Sequence, residues 1–144
     1  MSNQLPYGYR YGDRILVELP LDSTSAAIGS TSTALTDANA TSTFFKEVDA
    51  SGERVVGWSA GKQSSPSADG GLSVLSDASM QSVYEFPPDA GTVTRALIGK
   101  TCDIGADGQS INIDASADDS ILIVDVDVTN NTCYVQRRDT ATSI

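Results

Sequence analysis

Short stretches of alternating hydrophobic and polar residues, separated by turns, run through the last third of this chain. The pattern predicts strands at residues 92–98, 109–114 and 120–128, and a fourth strand at 132–138 that returns antiparallel after the turn at 129–131. No stretch sustains the 3.6-residue period of an amphipathic helix. We therefore expect an all-β chain with little helix, folded as a compact antiparallel β-barrel or sandwich.

The polarity of the alternation changes halfway along residues 120–128. One face of this strand is aliphatic, and the other carries two isoleucines followed by two aspartates, which are Ile121, Ile123, Asp125 and Asp127. The first half of the strand is therefore expected to need cover on both faces, whereas the aspartates mark the second half as exposed to solvent.

The first half of the chain contains weaker strand signals. Residues 14–19 are predicted to form a strand that Pro20 ends, and residues 31–35 a further strand. Residues 42–48 and 53–60 are predicted to form a β-hairpin, because the connecting Asp-Ala-Ser-Gly sequence is a favourable turn.

Two side-chain predictions follow from this hairpin. Glu47 and Arg54 would lie nearly opposite each other and could pair. The aromatic side chains of Phe44, Phe45 and Trp58 are interpreted as core residues.

The domain organisation is predicted from composition. Residues 1–13 are interpreted as an extended N-terminal arm, and residues 14–144 as a single β domain with a possible subdivision near 87–91. Residues 21–43 form a long Ser/Thr-rich loop, in which Ile28 and the β-branched threonines allow either a disordered linker or an extended, half-buried path.

Tyrosine and arginine residues at the two ends of the chain are the candidates for contact with a partner. Tyr7, Tyr9, Arg10 and Tyr11 suit an arm that grips another protein, since Tyr and Arg are enriched at protein contacts; a fraying terminus is the alternative. The pair Arg137-Arg138 would contact an acidic patch on a neighbouring subunit, or simply end a strand in solvent.

The charge and the absence of histidine narrow the possible functions. The formal net charge is −10, so binding to nucleic acid or to anionic membranes is disfavoured. Without histidine the chain has no Ser-His-Asp or Cys-His pair and lacks the commonest metal ligand. We expect no enzymatic activity and no cofactor.

Other residues that could carry chemistry receive a structural interpretation. Cys102 and Cys133 are interpreted as two buried reduced thiols, with a disulfide between neighbouring strands as the alternative. Residues 103–114 fit a calcium loop poorly, because Gly105 occupies a ligand position and Asp114 replaces the long bidentate Glu. We therefore expect no metal site here.

A family resemblance is carried by the strand ending in GKTCDI, the stretch QSINIDAS and the hairpin DSILIVDVDVTNNTCYV. Residues 83–138, which contain them, resemble small proteins of tailed bacteriophages, especially marine phages, typically encoded beside the major capsid protein. A shorter stretch, ERVVGWSAGKQSSPSADGG, looks like the part of phage lambda-type head decoration proteins where a short strand ends in an aromatic residue before a Gly/Ser/Asp loop.

The resemblance implies a capsid decoration (cement) protein. Such proteins are β-rich, often trimeric, and clamp neighbouring capsid subunits on the outer face of the expanded shell. It implies the major capsid protein and further copies of this chain, as a homotrimer, for partners. It also implies synthesis in the host cytoplasm and a final location on the outer capsid surface of the virion.

Two alternatives remain open at this point. The same β scaffold suits another virion component, such as a head-tail connector, a tail protein or a head-fibre protein. A carbohydrate-binding β module would need exposed aromatic side chains, which Trp58 with Tyr84 or Tyr134 would have to supply.

Overall fold

The fold, seen in a computed structural model, is built from short β-strands, with a 3-10 turn at Arg95–Leu97. The residues that the structure describes are 7–38, 44–115 and 119–138. In chain order, the strands within them are β1 (Gly8–Tyr11), β2 (Leu16–Pro20), β3 (Ala34–Asp37), β4 (Phe45–Glu47), β5 (Gly57–Ser59), β6 (Ser73–Asp77), β7 (Val83–Phe86), β8 (Thr101–Ile104), β9 (Ile111–Asn112), β10 (Ile121–Asp127) and β11 (Thr132–Arg137).

The strands form two antiparallel sheets that pack together as a sandwich. The six-stranded sheet has the order β1-β7-β11-β10-β8-β9, and the five-stranded sheet has the order β2-β6-β5-β3-β4. The all-β prediction is therefore confirmed, and of the two predicted architectures the sandwich is the one found; the sheets do not close into a barrel.

Three aromatic rings join the two sheets at the centre of the core. Trp58 of β5 stacks on Tyr84 and Phe86 of β7, with ring centroids 4.7 Å and 5.1 Å away. All three side chains are almost completely buried, so the interpretation of Trp58 as a core residue is confirmed. The same interpretation is wrong for Phe44 and Phe45, which are only half-buried, because Phe45 begins the edge strand β4 and Phe44 directly precedes it.

Around β3, the five-stranded sheet packs against an apolar cluster on each of its two faces. Neighbouring residues of a strand point to opposite faces, and Ala34 belongs to the main core whereas Leu35 belongs to a second cluster with Leu21, Ile28 and Val74. Leu21 and Ile28 come from the Ser/Thr-rich segment, of which residues 39–43 lie outside the described part. Of the two interpretations of this segment, the extended and half-buried path is the one found for residues 21–38.

A β-bulge explains the change of polarity along β10. The β10–β11 register shifts by one residue between Ile123 and Asp125, which makes Val124 the extra residue of the bulge. Ile121 and Ile123 face the core before the bulge, and Val126 faces it afterwards. The prediction that the first half of the strand needs cover on both faces is therefore met only in part: the face with Ile121 and Ile123 is buried, whereas Leu122 and Val124 on the other face are half-buried. The extra residue turns Asp125 outward. The predicted β10–β11 hairpin itself is confirmed.

The predicted hairpin between residues 42–48 and 53–60 is wrong. Its two strands, β4 and β5, lie on opposite sides of β3, where Leu35 pairs with Glu47 in one and with Gly57 in the other. The apolar β3 is buried, and this arrangement gives it a hydrogen-bonded neighbour on each side. The predicted Glu47–Arg54 pair is also wrong, since Arg54 forms a 2.7 Å ion pair with Asp37.

The predicted strand at residues 92–98 is also wrong. Its centre is the 3-10 turn at Arg95–Leu97, in which the N–H of Leu97 donates to the carbonyl of Thr94. Val93 is buried in the main core and Ile98 is exposed, so the apolar residues of this segment do not share one face. The apolar run therefore reflects one core anchor and one surface residue rather than a strand.

Candidate functional site

Strand β1 carries most of the predicted contact residues, and it is part of the sandwich. It pairs antiparallel with β7 at the edge of the six-stranded sheet. Residues 8–11 are therefore an edge strand and not an extended arm, because β7 accepts them as a neighbour; residues 1–6 lie outside the described part. Gly8 has a φ of +116°, and a Cβ there would lie 2.8 Å from the hydroxyl oxygen of Ser32, so the close contact between β1 and this loop requires glycine.

Tyr9 faces the protein interior at the border between the two sheets. Its ring meets Tyr84 edge to face at 5.5 Å, and its hydroxyl donates a 2.7 Å hydrogen bond to the carbonyl of Gly12. The Arg14 guanidinium lies over the Tyr9 ring, 4.6 Å from the ring centroid. Tyr9 therefore stabilises the β1 edge rather than offering a free side chain to a partner.

Arg10 is also engaged within the protein. Its Nε donates a 2.9 Å hydrogen bond to the carboxylate of Glu85 on β7, and both side chains are about nine-tenths buried. The second oxygen of Glu85 accepts a 2.5 Å hydrogen bond from the hydroxyl of Thr132 on β11. The ion pair fixes β1 to the sheet, since loss of Arg10 would leave the mostly buried Glu85 carboxylate without its opposite charge.

Tyr7 and Tyr11 are the exposed aromatic side chains of this edge. Their exposed fractions are 42% and 55%. Tyr7 lies between two shallow clefts of about 240 Å³ and 180 Å³, whose walls are formed largely by residues 30–32 and β1. Tyr11 borders a third cleft with Asp125 and Tyr134. Of the four predicted contact residues near the N-terminus, these two are available to a partner; we call them the tyrosine pair.

The two arginines at the end of β11 do not form one common contact surface, because each has a different environment. Arg137 donates hydrogen bonds to the backbone carbonyls of Ala78 and Val55, which belong to segments of the five-stranded sheet and its connections. Arg138 is exposed and donates a 3.0 Å hydrogen bond to the carbonyl of Asp119. Arg137 thus joins the two sheets, while Arg138 keeps an exposed position at the strand end.

Asp77, the last residue of β6, is a completely buried carboxylate. It accepts hydrogen bonds from the Tyr84 hydroxyl at 2.8 Å and from the backbone N–H groups of Ile15 and Ser79 at 3.0 Å. Burial acts to raise the pKa of Asp77, but these hydrogen bonds outweigh burial and hold the pKa below its ordinary value of 3.8. The ionised carboxylate therefore anchors the start of β2.

Strand β2 exposes an apolar surface that the sequence pattern did not single out. Ile15, Leu16, Val17 and Leu75 of the adjacent β6 have exposed fractions of 57%, 50%, 37% and 40%. The available signal was the uninterrupted apolar run Ile-Leu-Val, which is unusual for a strand at the edge of a sheet. We call these four residues the β2 patch.

The two cysteines and the calcium-like acidic segment were the other residues considered for chemistry. Cys102 and Cys133 are buried free thiols, as the first of the two interpretations expected, and burial raises the pKa of Cys102 to about 12 and of Cys133 to about 11. In residues 103–114, which fit a calcium loop poorly, Asp107 accepts hydrogen bonds from the backbone N–H of Gln109 and from the hydroxyl of Ser110. Across residues 7–38, 44–115 and 119–138, no three His, Cys, Asp or Glu side chains are grouped to hold a metal ion.

The proposed aromatic platform for carbohydrate binding does not form. Trp58 and Tyr84 are both completely buried in the core, so they cannot stack on a sugar ring at the surface. The described part of the chain also has no helix long and apolar enough to cross a membrane.

Comparison with known proteins gives no relative from which a function could be transferred. No protein-family model matches the chain, and no similar curated protein or solved structure was found. The resemblance to phage decoration proteins therefore stays a prediction, and the function must be argued from the surfaces described above.

Proposed function

We propose that this protein is a structural virion protein that binds the outer surface of a phage capsid and stabilises it by bridging neighbouring major capsid protein subunits. The observation that carries the proposal is the tyrosine pair, two exposed aromatic side chains of which Tyr7 directly precedes β1 and Tyr11 ends it; β1 itself is paired with β7 and joined to it by the Arg10–Glu85 ion pair. A tyrosine offers a large contact area and a hydroxyl at a small cost in side-chain entropy. The capsid as the partner comes from the sequence resemblance.

The rigidity of β1 favours this use of the tyrosine pair. Arg10 and Glu85 form a mostly buried ion pair between Tyr9 and Tyr11, and Gly8 permits close contact with the loop at residues 30–32. A contact surface that is already ordered loses little conformational entropy on binding. Three shallow clefts beside the tyrosines would receive side chains from the capsid subunit.

The strength of binding would come from the number of copies. A pair of exposed tyrosines supports a contact of modest affinity, but many copies on one lattice, associated with each other as the proposed homotrimer or in another form, bind with increased avidity. The net charge of −10 keeps such copies soluble and disfavours binding to packaged DNA. A head-tail connector, tail or head-fibre role would use the same surface at a much lower copy number.

Binding of the purified protein to expanded capsids that lack it tests the proposal. Replacing Tyr7 and Tyr11 together by serine should weaken binding by about tenfold or more, as expected for the loss of central aromatic contacts. The matched control replaces Ile98 and Val128, which are also exposed but lie on other segments, by serine. Equal binding by the tyrosine variant and the unchanged protein would show that the tyrosine pair does not contribute to capsid binding.

A further inference from the structure

Among the described residues the two sheets have four edge strands, and three of them are partly covered by another segment of the chain. Edge strand β9 is two residues long, and Ile111 forms a parallel bridge with Pro88. Edge strand β4 is met by the segment after β2, because Leu21 bridges Phe45. On β1, the N–H of Tyr9 donates to the hydroxyl of Ser32. Such cover is how folded proteins prevent an edge strand from pairing with other chains.

The fourth edge, β2, has its open side along its first half. The N–H of Leu21 donates to the carbonyl of Leu72, and the N–H of Ala78 donates to the carbonyl of Ile15. With the β2–β6 register, these two bonds show that the odd-numbered residues of β2 direct their backbone groups toward β6. Since the direction alternates along a strand, the N–H and C=O groups of Leu16 and Glu18 point away from the sheet. Pro20 has no N–H to offer, so the open part of the edge ends there.

Apolar side chains are exposed on both faces of this open edge. Leu16 lies on the same face as Leu75, while Ile15 and Val17 lie on the opposite face, and all four are more than one-third exposed. Glu18 is the acidic residue among them. An apolar edge with unpaired backbone groups is typical of a strand that another strand covers.

We propose that β2 pairs antiparallel with β2 of a second copy of this chain, about a two-fold axis at Leu16. Residues with outward backbone groups must face each other, so Leu16 lies opposite Leu16 of the second copy, and Arg14 lies opposite its Glu18. Ile15 then lies opposite the second copy's Val17. The pairing places opposite charges and apolar side chains together twice, by symmetry, and joins two five-stranded sheets into one.

The charge pattern favours a second copy over another occupant. Arg14 contacts the buried Asp77 through Nε at 3.5 Å, and its side chain is 31% exposed, so its remaining N–H groups can reach a carboxylate across the new pair. Glu18 is exposed and supplies that carboxylate. Because antiparallel pairing places Arg14 of each copy opposite Glu18 of the other, the charges of this edge are complementary to those of a second copy. The inference does not depend on the proposed capsid role.

Two measurements on the purified full chain test the pairing. Analytical ultracentrifugation over a range of concentrations should show a dimer or an assembly containing dimers, and hydrogen exchange should show the Leu16 and Glu18 amides protected in it. Glu18→Lys should raise the dimer dissociation constant by about tenfold or more, because each of two opposite-charge pairs becomes a like-charge pair. Asp114→Lys changes the net charge equally at an exposed site elsewhere and should leave the constant unchanged.

Leu16→Pro provides a second variant that removes an outward N–H without touching the β6 ladder, and it should also weaken the dimer. A monomer at all concentrations would overturn the proposal, whether the two amides are protected or not. An oligomer in which these amides exchange freely, or which Glu18→Lys does not weaken, would also overturn it. Copy number in virions is independent of each of these results.

Discussion

The hydroxyl of Tyr84, on β7 of the six-stranded sheet, donates a 2.8 Å hydrogen bond to the carboxylate of Asp77, which ends β6 of the five-stranded sheet. Both side chains are completely buried. This bond crosses the sandwich beside the stacked ring of Trp58, so it joins the two sheets at the place where the aromatic core meets the edge strands. Because Asp77 also accepts the N–H of Ile15, the same carboxylate positions the β2 edge.

Substitution of Asp77 should destabilise the protein strongly. Asp77→Ala leaves several buried donors without an acceptor, so we expect the free energy of unfolding to fall by about 3 kcal/mol or more. Tyr84→Phe removes a single donor from the same site and should cost about 1–2 kcal/mol. Urea unfolding measures both values, and an equal, small loss in the two variants would show that Asp77 is not the centre of this network.

Stability should decrease below about pH 4 because of the same carboxylate. The pKa of Asp77 is lowered in the folded state, so at low pH the unfolded chain binds a proton more readily than the folded protein. Its contribution is therefore present above its ordinary pKa of 3.8 and is lost as the pH falls through the lower, folded-state value. Urea unfolding of the protein and of Asp77→Asn at several pH values should show a shallower acid decrease in the variant; identical slopes would contradict this assignment.

The sequence pattern predicted some local features correctly, but it predicted long-range strand pairings poorly. The buried Trp58 and the β10–β11 hairpin follow from local hydrophobicity and turn residues, and both are found. The position of β3 between β4 and β5 depends on pairing between strands that are distant in sequence, and the local residue pattern does not show which strand will lie in the middle of the sheet.

The candidate site shows the same limit. Composition identified three tyrosines and Arg10 near the N-terminus as contact residues, but it did not distinguish exposed from internal side chains. Tyr9 and Arg10 contact Tyr84 and Glu85 within the protein, and these partners lie more than seventy positions away in sequence. Exposure of the β2 patch likewise depends on β2 being an edge strand, which only the sheet order reveals.

The chain has one tryptophan, which makes the core observable by fluorescence. Since Trp58 is completely buried among aromatic rings, the folded protein should emit at short wavelength and resist quenching by iodide, and unfolding should shift the emission to the red. Trp58→Ala should reduce stability by about 3–5 kcal/mol. Strong iodide quenching of the folded protein would contradict the packing described for this side chain.

Both cysteines should be unreactive in the folded protein. Burial raises the pKa of Cys102 to about 12 and of Cys133 to about 11, so at pH 8 very little thiolate is present and reagents cannot reach it. A disulfide-exchange reagent should label neither thiol in the folded state and both after denaturation. Failure to label either thiol in denatured, unreduced protein would instead indicate a disulfide.

Gly8→Ala should detach β1 from the loop that it contacts. The substitution places a Cβ 2.8 Å from the Ser32 hydroxyl and forces alanine into a φ of +116°, so we expect a loss of about 1–3 kcal/mol. Gly29→Ala is the matched control, because a Cβ there meets no atom within 4 Å. Hydrogen exchange at Tyr9 should accelerate in the first variant only, and unchanged protection would show that the contact does not hold β1 in place.

The most direct test of the proposed function is the number of copies of this protein in purified virions, measured by quantitative mass spectrometry against the major capsid protein. A decoration protein that bridges capsid subunits must cover the lattice, so we predict a ratio near one or a simple fraction of it. A copy number typical of a single vertex or a tail, or absence from the virion, would contradict the capsid-stabilising role.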